Sequence, residues 1–217
     1  MPTFGTVDTQ TELTGGGTLI INGTRPPTDT DGAVGDYWLD TAGKTLYGPK
    51  GAGGYGATET AHPVTTPNSG GTGNFTLGIK LRCLVVGQLV GLRFYRDAST
   101  TITGHKMTLF NSSGTLVNTA TSSGESGAGW VSALFSVPTP VTVNSDWVAA
   151  WYVGSNRFAI KLSTLPVSTV PAHITLIENR FGSGDVYPTT VDANDDMIDV
   201  LFQPALVAWP IAIKSAP

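Results

Sequence analysis

The side chains of this chain that could do acid–base, nucleophilic or metal chemistry are few and scattered. Its 217 residues include 3 histidines and 1 cysteine. His62 precedes Pro63, His105 follows the turn residue Gly104, and His173 sits at the start of a strand-like run after Pro171. Nucleophilic catalysis needs a presented nucleophile, an adjacent base and a group that orients the base. No Gly-x-Ser-x-Gly elbow marks a nucleophile, so each histidine reads as a surface or hydrogen-bonded structural residue. Glu125 and Asp146 could pair as glycosidase carboxylates, but both fall in turns, where acids are solvated. Asp192-Ala193-Asn194-Asp195-Asp196 offers Asp192, Asn194, Asp195 and Asp196 as oxygen ligands of the kind Ca²⁺ prefers. An EF-hand would need Gly where Met197 stands, so the run reads first as a solvated acidic turn and second as a Ca²⁺ loop. The expectation is therefore no catalytic residues, no enzyme activity, and no cofactor unless that loop takes Ca²⁺.

Aromatic side chains offer a different chemistry, stacking on the face of a sugar. Trp147 and Trp151 share one parity of a strand-like run and Tyr152 has the other, so aromatics point to both faces. One face must be core, and packing is the simpler reading for the tryptophans. Phe181 and Tyr187 flank a Gly-Ser-Gly loop and are the better exposed glycan-contact candidates, with Trp151 and Tyr152 beside them.

These groups are carried by a chain whose composition favours strands. Hydrophobic residues make up 40 % and aromatics 9 %, enough for a core, while charged residues are only 13 %. Polarity comes from Thr, Ser, Asn and 27 Gly, residues of strands and turns. The net charge of −4, with Lys and Arg scattered singly, argues against nucleic acid as a partner. No run approaches the roughly 20 apolar residues of a membrane span. Met1-Pro2-Thr3-Phe4-Gly5 has neither a basic nor an apolar region, so no signal peptide is expected. A single cysteine excludes an internal disulfide.

Texture divides the chain. Residues 1–73 are rich in Gly, Thr and Pro and read as an extended arm. Within it Asp36-Tyr37-Trp38-Leu39-Asp40, Thr41-Ala42-Gly43 and Lys44-Thr45-Leu46-Tyr47 predict a β-hairpin near 36–47. An isolated hairpin is marginal in water, so Tyr37, Trp38, Leu46 and Tyr47 are the candidate assembly contacts. Gly48 to Gly56 holds too few Gly-X-Y triplets for a collagen helix and reads as a linker. From Phe75 to Val85 apolar residues alternate with mostly polar ones, which is a half-buried strand with Cys83 on its inward face. Further strands are predicted over 89–96, 106–110, 115–119, 130–137, 147–153, 157–162, 173–177 and 197–202, separated by Gly, Ser, Asn and Pro. That pattern predicts an all-β, antiparallel β-sandwich over 74–203. Residues 204–217 read as an edge strand or arm, because Pro210 interrupts the run Leu206 to Ile213.

Two resemblances extend this reading. Leu77-Gly78-Ile79-Lys80, Gly91-Leu92-Arg93-Phe94-Tyr95, Leu109-Phe110-Asn111, Gly114-Thr115-Leu116-Val117, Gly129-Trp130, Phe135-Ser136 and Asp199-Val200-Leu201-Phe202 resemble, in order and spacing, a family of β-sandwich modules of unknown function. These occur in bacterial secreted proteins and in some phage structural proteins. The resemblance implies a jelly-roll-like or immunoglobulin-like sandwich without catalytic residues. Asp31-Gly32-Ala33-Val34-Gly35-Asp36-Tyr37-Trp38-Leu39-Asp40-Thr41, with Leu46-Tyr47-Gly48-Pro49-Lys50, resembles an element of bacteriophage fibres and minor tail proteins, although a long Gly-X-Y shaft is missing here.

Together these imply a non-enzymatic virion structural protein, made in the bacterial cytoplasm. The expected place is a minor tail, tail-tip or fibre position, with capsid decoration as one alternative and a carbohydrate-binding module as another. The expected partners are other virion proteins, copies of itself in a trimer or higher symmetry, and a host surface glycan. Neither nucleic acid nor a membrane span is expected.

Overall fold

The computed structural model describes residues 20–24, 27, 31–33, 36–43, 45–47, 50, 58–63, 66–162 and 165–205, with only the backbone of Thr45 and Leu46. All of the expected linker Gly48–Gly56 except Lys50, and the apolar run Leu206–Ile213, lie outside the described residues. Two compact units divide the chain, one formed by residues 1–58 with 204–217 and the other by 59–203.

The first unit holds a three-stranded sheet: β1 (Ile20–Gly23), β2 (Tyr37–Asp40) and β3 (Thr45–Tyr47). The predicted hairpin is β2–β3, paired antiparallel with Trp38 opposite Tyr47. β1 adds alongside β2 in parallel, Ile21 opposite Trp38. The turn closes because Asp40 Oδ1 accepts the backbone N–H groups of Ala42 and Gly43 at 3.0 and 2.9 Å, an Asx-type turn. Lys50 Nζ donates to the carbonyls of Asp31 and Gly32 at 2.9 and 2.8 Å. Asp36 Oδ2 accepts the Ala33 N–H at 2.7 Å. Hydrogen bonds within the stretch from Asp31 to Lys50 thus tie this small sheet together.

The second unit is all-β. Its strands are β4 (Glu59–Thr60), β5 (Ser69–Gly73), β6 (Phe75–Cys83), β7 (Gly87–Arg96), β8 (Lys106–Asn111) and β9 (Leu116–Thr121). They continue with β10 (Gly129–Val141), β11 (Ser145–Tyr152), β12 (Asn156–Ile160), β13 (Ile174–Ser183), β14 (Thr190–Asp192) and β15 (Ile198–Pro204). A six-stranded sheet runs β14-β13-β6-β11-β8-β9 and a four-stranded one β10-β7-β15-β4, with β12 and β5 forming a separate pair. Residues 59–73 supply β4 and β5, so the unit begins at Glu59 and not at the expected residue 74.

β6 is central to the larger sheet because its alternation satisfies both neighbours. Leu77, Ile79 and Leu81 lie opposite Trp151, Ala149 and Trp147 of β11, and Leu77 and Leu81 also face Phe181 and Leu176 of β13. These side chains share one buried cluster with Leu89, Leu92 and Phe94 of β7 and Val200 and Phe202 of β15. Phe94 and Trp151, one from each sheet, stack at 4.3 Å and 21°. Each fully buried large side chain contributes about 1.5–3 kcal/mol relative to exposure. Cys83 lies in this cluster, and burial first, with the Asp146 charge second, pushes its thiol up to about 12.

The other face of β6 is covered too. Thr76 Oγ1 donates to the Gly184 carbonyl at 2.7 Å, and Pro188 lies over Gly78, where a Cβ would meet it at 3.1 Å. Tyr187 closes a second cluster with Phe110, Val148 and Ala150. The fold is mostly antiparallel and multi-sheeted, and among the described residues no sheet closes into a barrel. Among the described residues no helix is long and apolar enough to cross a membrane.

Candidate functional site

Most of the titratable groups singled out above are tied into buried pairs. His62 Nε2 lies 2.8 Å from Asp195 Oδ2, and its Nδ1 lies 2.7 Å from the Pro63 carbonyl, so both ring nitrogens face acceptors. His173 Nδ1 lies 2.6 Å from Glu59 Oε2. His105 Nδ1 lies 2.7 Å from Glu125 Oε2, which Arg96 Nε also approaches at 3.4 Å. All three histidines are buried. Burial pushes the Glu125 carboxyl up. Hydrogen bonds from Ser122 Oγ and the His105 backbone, with the His105 ring, outweigh it and hold Glu125 below the usual carboxylate range. Asp146 is held below that range first by its hydrogen bond from Arg82, at 2.6 Å, against a smaller desolvation penalty. A glycosidase acid needs a raised pKa, and neither Glu125 nor Asp146 has one.

A second group fastens the segment 59–63 to the sheets. Asp199, fully buried, accepts Arg93 Nε at 3.0 Å on Oδ2, where Arg93 Nη2 also forms an ion pair at 2.9 Å, and accepts the Ala61 N–H at 3.1 Å on Oδ1. Arg93 Nη2 also donates to the His62 carbonyl at 2.9 Å, and its guanidinium lies 4.4 Å from the centre of the Trp130 ring. The two-residue strand β4 has only Thr60 and Glu59 paired with β15, and it is held further by His173 on Glu59 and by Thr169, whose hydroxyl donates to the Thr60 carbonyl.

A cavity of about 190 Å³ lies among β6, β12, β13 and the turn after β14, lined by Phe75, Leu77, Phe158, Ile160, Phe181, Asp192, Asn194 and Asp196. Phe75 meets Phe158 and Phe181 edge-on at 6.0 and 6.3 Å. Asp192 Oδ1 accepts the Asn194 N–H at 3.0 Å and its Nδ2 at 2.9 Å. Asp196 is fully buried, and its carboxylate has no well-formed hydrogen bond beyond the approach of the Gly78 N–H. Burial first, then the Asp192 charge, against the nearby Gly78 N–H, push its carboxyl well above the usual range. Next to it Met197 adopts φ of 50°, left-handed backbone that a bulky residue rarely takes.

The expected contact residues separate sharply. Trp38 is buried and packs over Gly23, where a Cβ would run into its ring, so it is a core residue of the small sheet and not an exposed anchor. Tyr37 and Tyr47 are half-buried, and the Leu46 side chain lies outside the described residues. Trp151 is 1 % exposed and unavailable to a glycan. Tyr187 packs edge-on to Phe110 at 5.2 Å and accepts from Arg180 at 3.1 Å. The Tyr152 hydroxyl donates to Asn74 at 2.6 Å. Phe181 alone of the four lines the cavity. The acidic run does not gather as a Ca²⁺ loop, because Asp195 turns its oxygens to His62 and to the Met197 N–H at 2.9 Å. Among the described residues no group of three or more His, Cys, Asp or Glu is placed to hold a metal ion. Sequence reasoning missed Phe75 and Phe158 as cavity walls, since both read as ordinary strand residues.

Residues 60–194 of the 217 match a family model described as a domain of unknown function, DUF4082. No curated protein matches the chain.

Proposed function

The chain belongs to the DUF4082 family of domains of unknown function, and on that premise we propose that it is a non-enzymatic virion structural protein that works by packing and binding. The observation that carries this reading is that all three histidines are buried against carboxylate partners. Glu125 and Asp146, the carboxylates nearest to a catalytic pair, are held ionised by their donors. What remains is a rigid β unit preceded by a small sheet whose Asp31–Lys50 element resembles phage fibre and minor tail proteins. On this reading the small sheet anchors the chain in a tail tip or fibre, or on a capsid, and the β unit faces outward from the particle. Assemblies on rings or capsids follow symmetry, which implies three or more copies.

Mass spectrometry of purified particles from the producing culture tests this. The full chain should be present in a fixed ratio to the major structural proteins, and a chain lacking residues 1–58 should be absent. Absence of the full chain from particles, or equal incorporation of the shortened one, would overturn the respective half of the proposal.

A further inference from the structure

One long side of the β unit carries almost no charge. Between Lys106 and Asp146 the sequence holds a single charged residue, Glu125, and its side chain is completely buried against His105. That stretch supplies two edge strands, β9 at one end of the six-stranded sheet and β10 at one end of the four-stranded sheet. The two edges run side by side, tied by Asn118 Nδ2, which donates to the Val137 carbonyl at 2.8 Å and to Thr139 Oγ1 at 2.9 Å. Around that tie Leu116, Val117, Leu134 and Val137 are 49, 43, 69 and 70 % exposed. We propose that this β9–β10 side is where two copies of the chain meet, about a two-fold axis that sets Leu134 and Val137 of one copy against those of the other.

Edge strands are commonly guarded by charge, lysine above all, against joining a neighbour. Here Thr119, Thr121, Ser132 and Ser136 fill exposed positions beside the aliphatic ones. The lysine of the adjoining strand β8, Lys106, lies away from Leu116, opposite Thr121, and is paired with Asp185 at 2.8 Å. Self-contact accounts for the lack of charge. About a two-fold axis the same patch faces itself, so a charged side chain near the axis meets its own like charge, which destabilises a directly opposed pair. A face that meets a different protein has no such restriction and gains selectivity by carrying charge. An anionic lipid surface calls for Lys or Arg around the apolar residues, and the stretch between Lys106 and Asp146 has neither.

The size is adequate. β10 is 13 residues long, about 40 Å at ~3.3 Å per residue. With sheets ~10 Å apart and side chains standing out on either side, a strip about 20 Å across offers about 800 Å² per copy, one partner's share of a stable interface of standard size. The contact also closes on itself. Pro138 and Pro140 lack N–H groups, and the register of β10 against β7 shifts between Leu134 and Thr139. Both features stop a strand from adding along this edge, so copies join through side chains as a closed pair and not as a growing ladder. Dihedral assemblies contain such two-folds, so the pair fits a virion assembly of several copies without depending on one.

The test is sedimentation velocity of the full chain over concentrations up to about 100 μM, above the micromolar dissociation constants at the weak end for interfaces of this size. A species of twice the chain mass should grow with concentration. Leu134→Asp and Leu134→Lys should each weaken association by roughly tenfold or more. An equimolar mixture of the two should restore it, since opposite charges then face each other across the axis. Val137→Asp with Val137→Lys repeats the design at an equally exposed position, so one variant that fails to fold by circular dichroism does not end the test. Val191→Lys, on β14 at the opposite edge of the six-stranded sheet, is the control and should associate as wild type does. A chain that is monomeric at every concentration, or an odd-numbered oligomer, overturns the proposal. So does a dimer that folded Leu134 and Val137 variants leave intact, or variants that dissociate and do not recover on mixing. Incorporation into particles plays no part in this readout, so the virion reading and the two-fold contact fail separately.

Discussion

Replacing Arg93 with methionine keeps the aliphatic stem and removes the guanidinium that joins β7, β15 and the segment 59–63. Asp199 then keeps its two backbone donors, Ala61 at 3.1 Å and Val200 at 2.7 Å, and loses the Arg93 Nε hydrogen bond and the Nη2 ion pair on Oδ2. The His62 carbonyl loses a donor and Trp130 loses its cation. Removing one partner of a buried pair costs about 3–5 kcal/mol, chiefly because the other charge stays buried. Asp199 is already pushed up by its complete burial, against the pull of Arg93, so it can take a proton and recover part of that cost. The expected loss at pH 7 is therefore at the low end, about 3 kcal/mol. At roughly 2–4 °C per kcal/mol for a unit of this size, the melting temperature should fall by about 6–12 °C. The sign with pH follows. A carboxyl whose folded pKa is raised favours the folded state below its unfolded pKa and loses that contribution as pH rises through the folded value. Without Arg93 the rise is larger, so the deficit of the variant should widen from pH 5 to pH 8. Urea melts of wild type, Arg93→Met, Asp199→Asn and the double variant give the coupling. The double variant should be more stable than the sum of the two single losses by at least about 1.5 kcal/mol. A loss under about 1 kcal/mol for Arg93→Met, or strict additivity, would refute the idea that buried charge fastens this segment.

Asp196→Asn carries a related sign. Because the folded carboxyl is raised, wild type should lose stability relative to this variant as pH climbs above about 4, and a difference that stays flat across denaturant melts from pH 4 to 8 would contradict the assignment. Cys83, buried with its thiol pushed up to about 12, should react with Ellman's reagent only as fast as the unit unfolds; rapid labelling of native protein would show it to be exposed. Gly91→Ala would drive a Cβ into the carbonyl oxygen of Ala133 on the paired strand β10. A loss of about 1–3 kcal/mol is expected, read from urea midpoints, and a neutral result would mean that β7 and β10 are spaced more widely.

The β unit was legible strand by strand where alternation was long. Phe75–Cys83 shows it most clearly, because every odd residue from Leu77 to Cys83 enters the core. β5 was not legible: Ser69-Gly70-Gly71-Thr72-Gly73 has no side-chain pattern, and it is a strand because Phe158 and the β12 backbone lie where a Cβ at Gly70 or Gly71 would be. β4 escaped for a different reason. It pairs over two residues, and the segment around it depends on His173, Asp195 and Asp199, each more than 100 residues from its partner Glu59, His62 or Ala61. Such long-range pairing of charge leaves no local trace. The aromatics show the same limit. Parity placed Trp151 and Tyr152 on opposite faces, and the structure puts Trp151 in the core, but only the loop fold over β6 reveals that Tyr187 is occupied by Phe110 and Arg180. The acidic run was visible as a cluster of oxygens, whereas the division of labour within it, Asp195 to His62 and Asp196 into the buried interior, was not.

The attachment of β4 beside β15 has a mechanical consequence. The β unit begins at Glu59 and ends at Gln203, and Glu59 lies opposite Phe202 in that pair, so its two ends are next to each other at one sheet edge. Tension between the flanking segments would pass through this short pair and its ionic fastening, and would bypass the stacked rings of Phe94 and Trp151. Pulling on the two ends of the unit should therefore detach β4 first while the core stays folded.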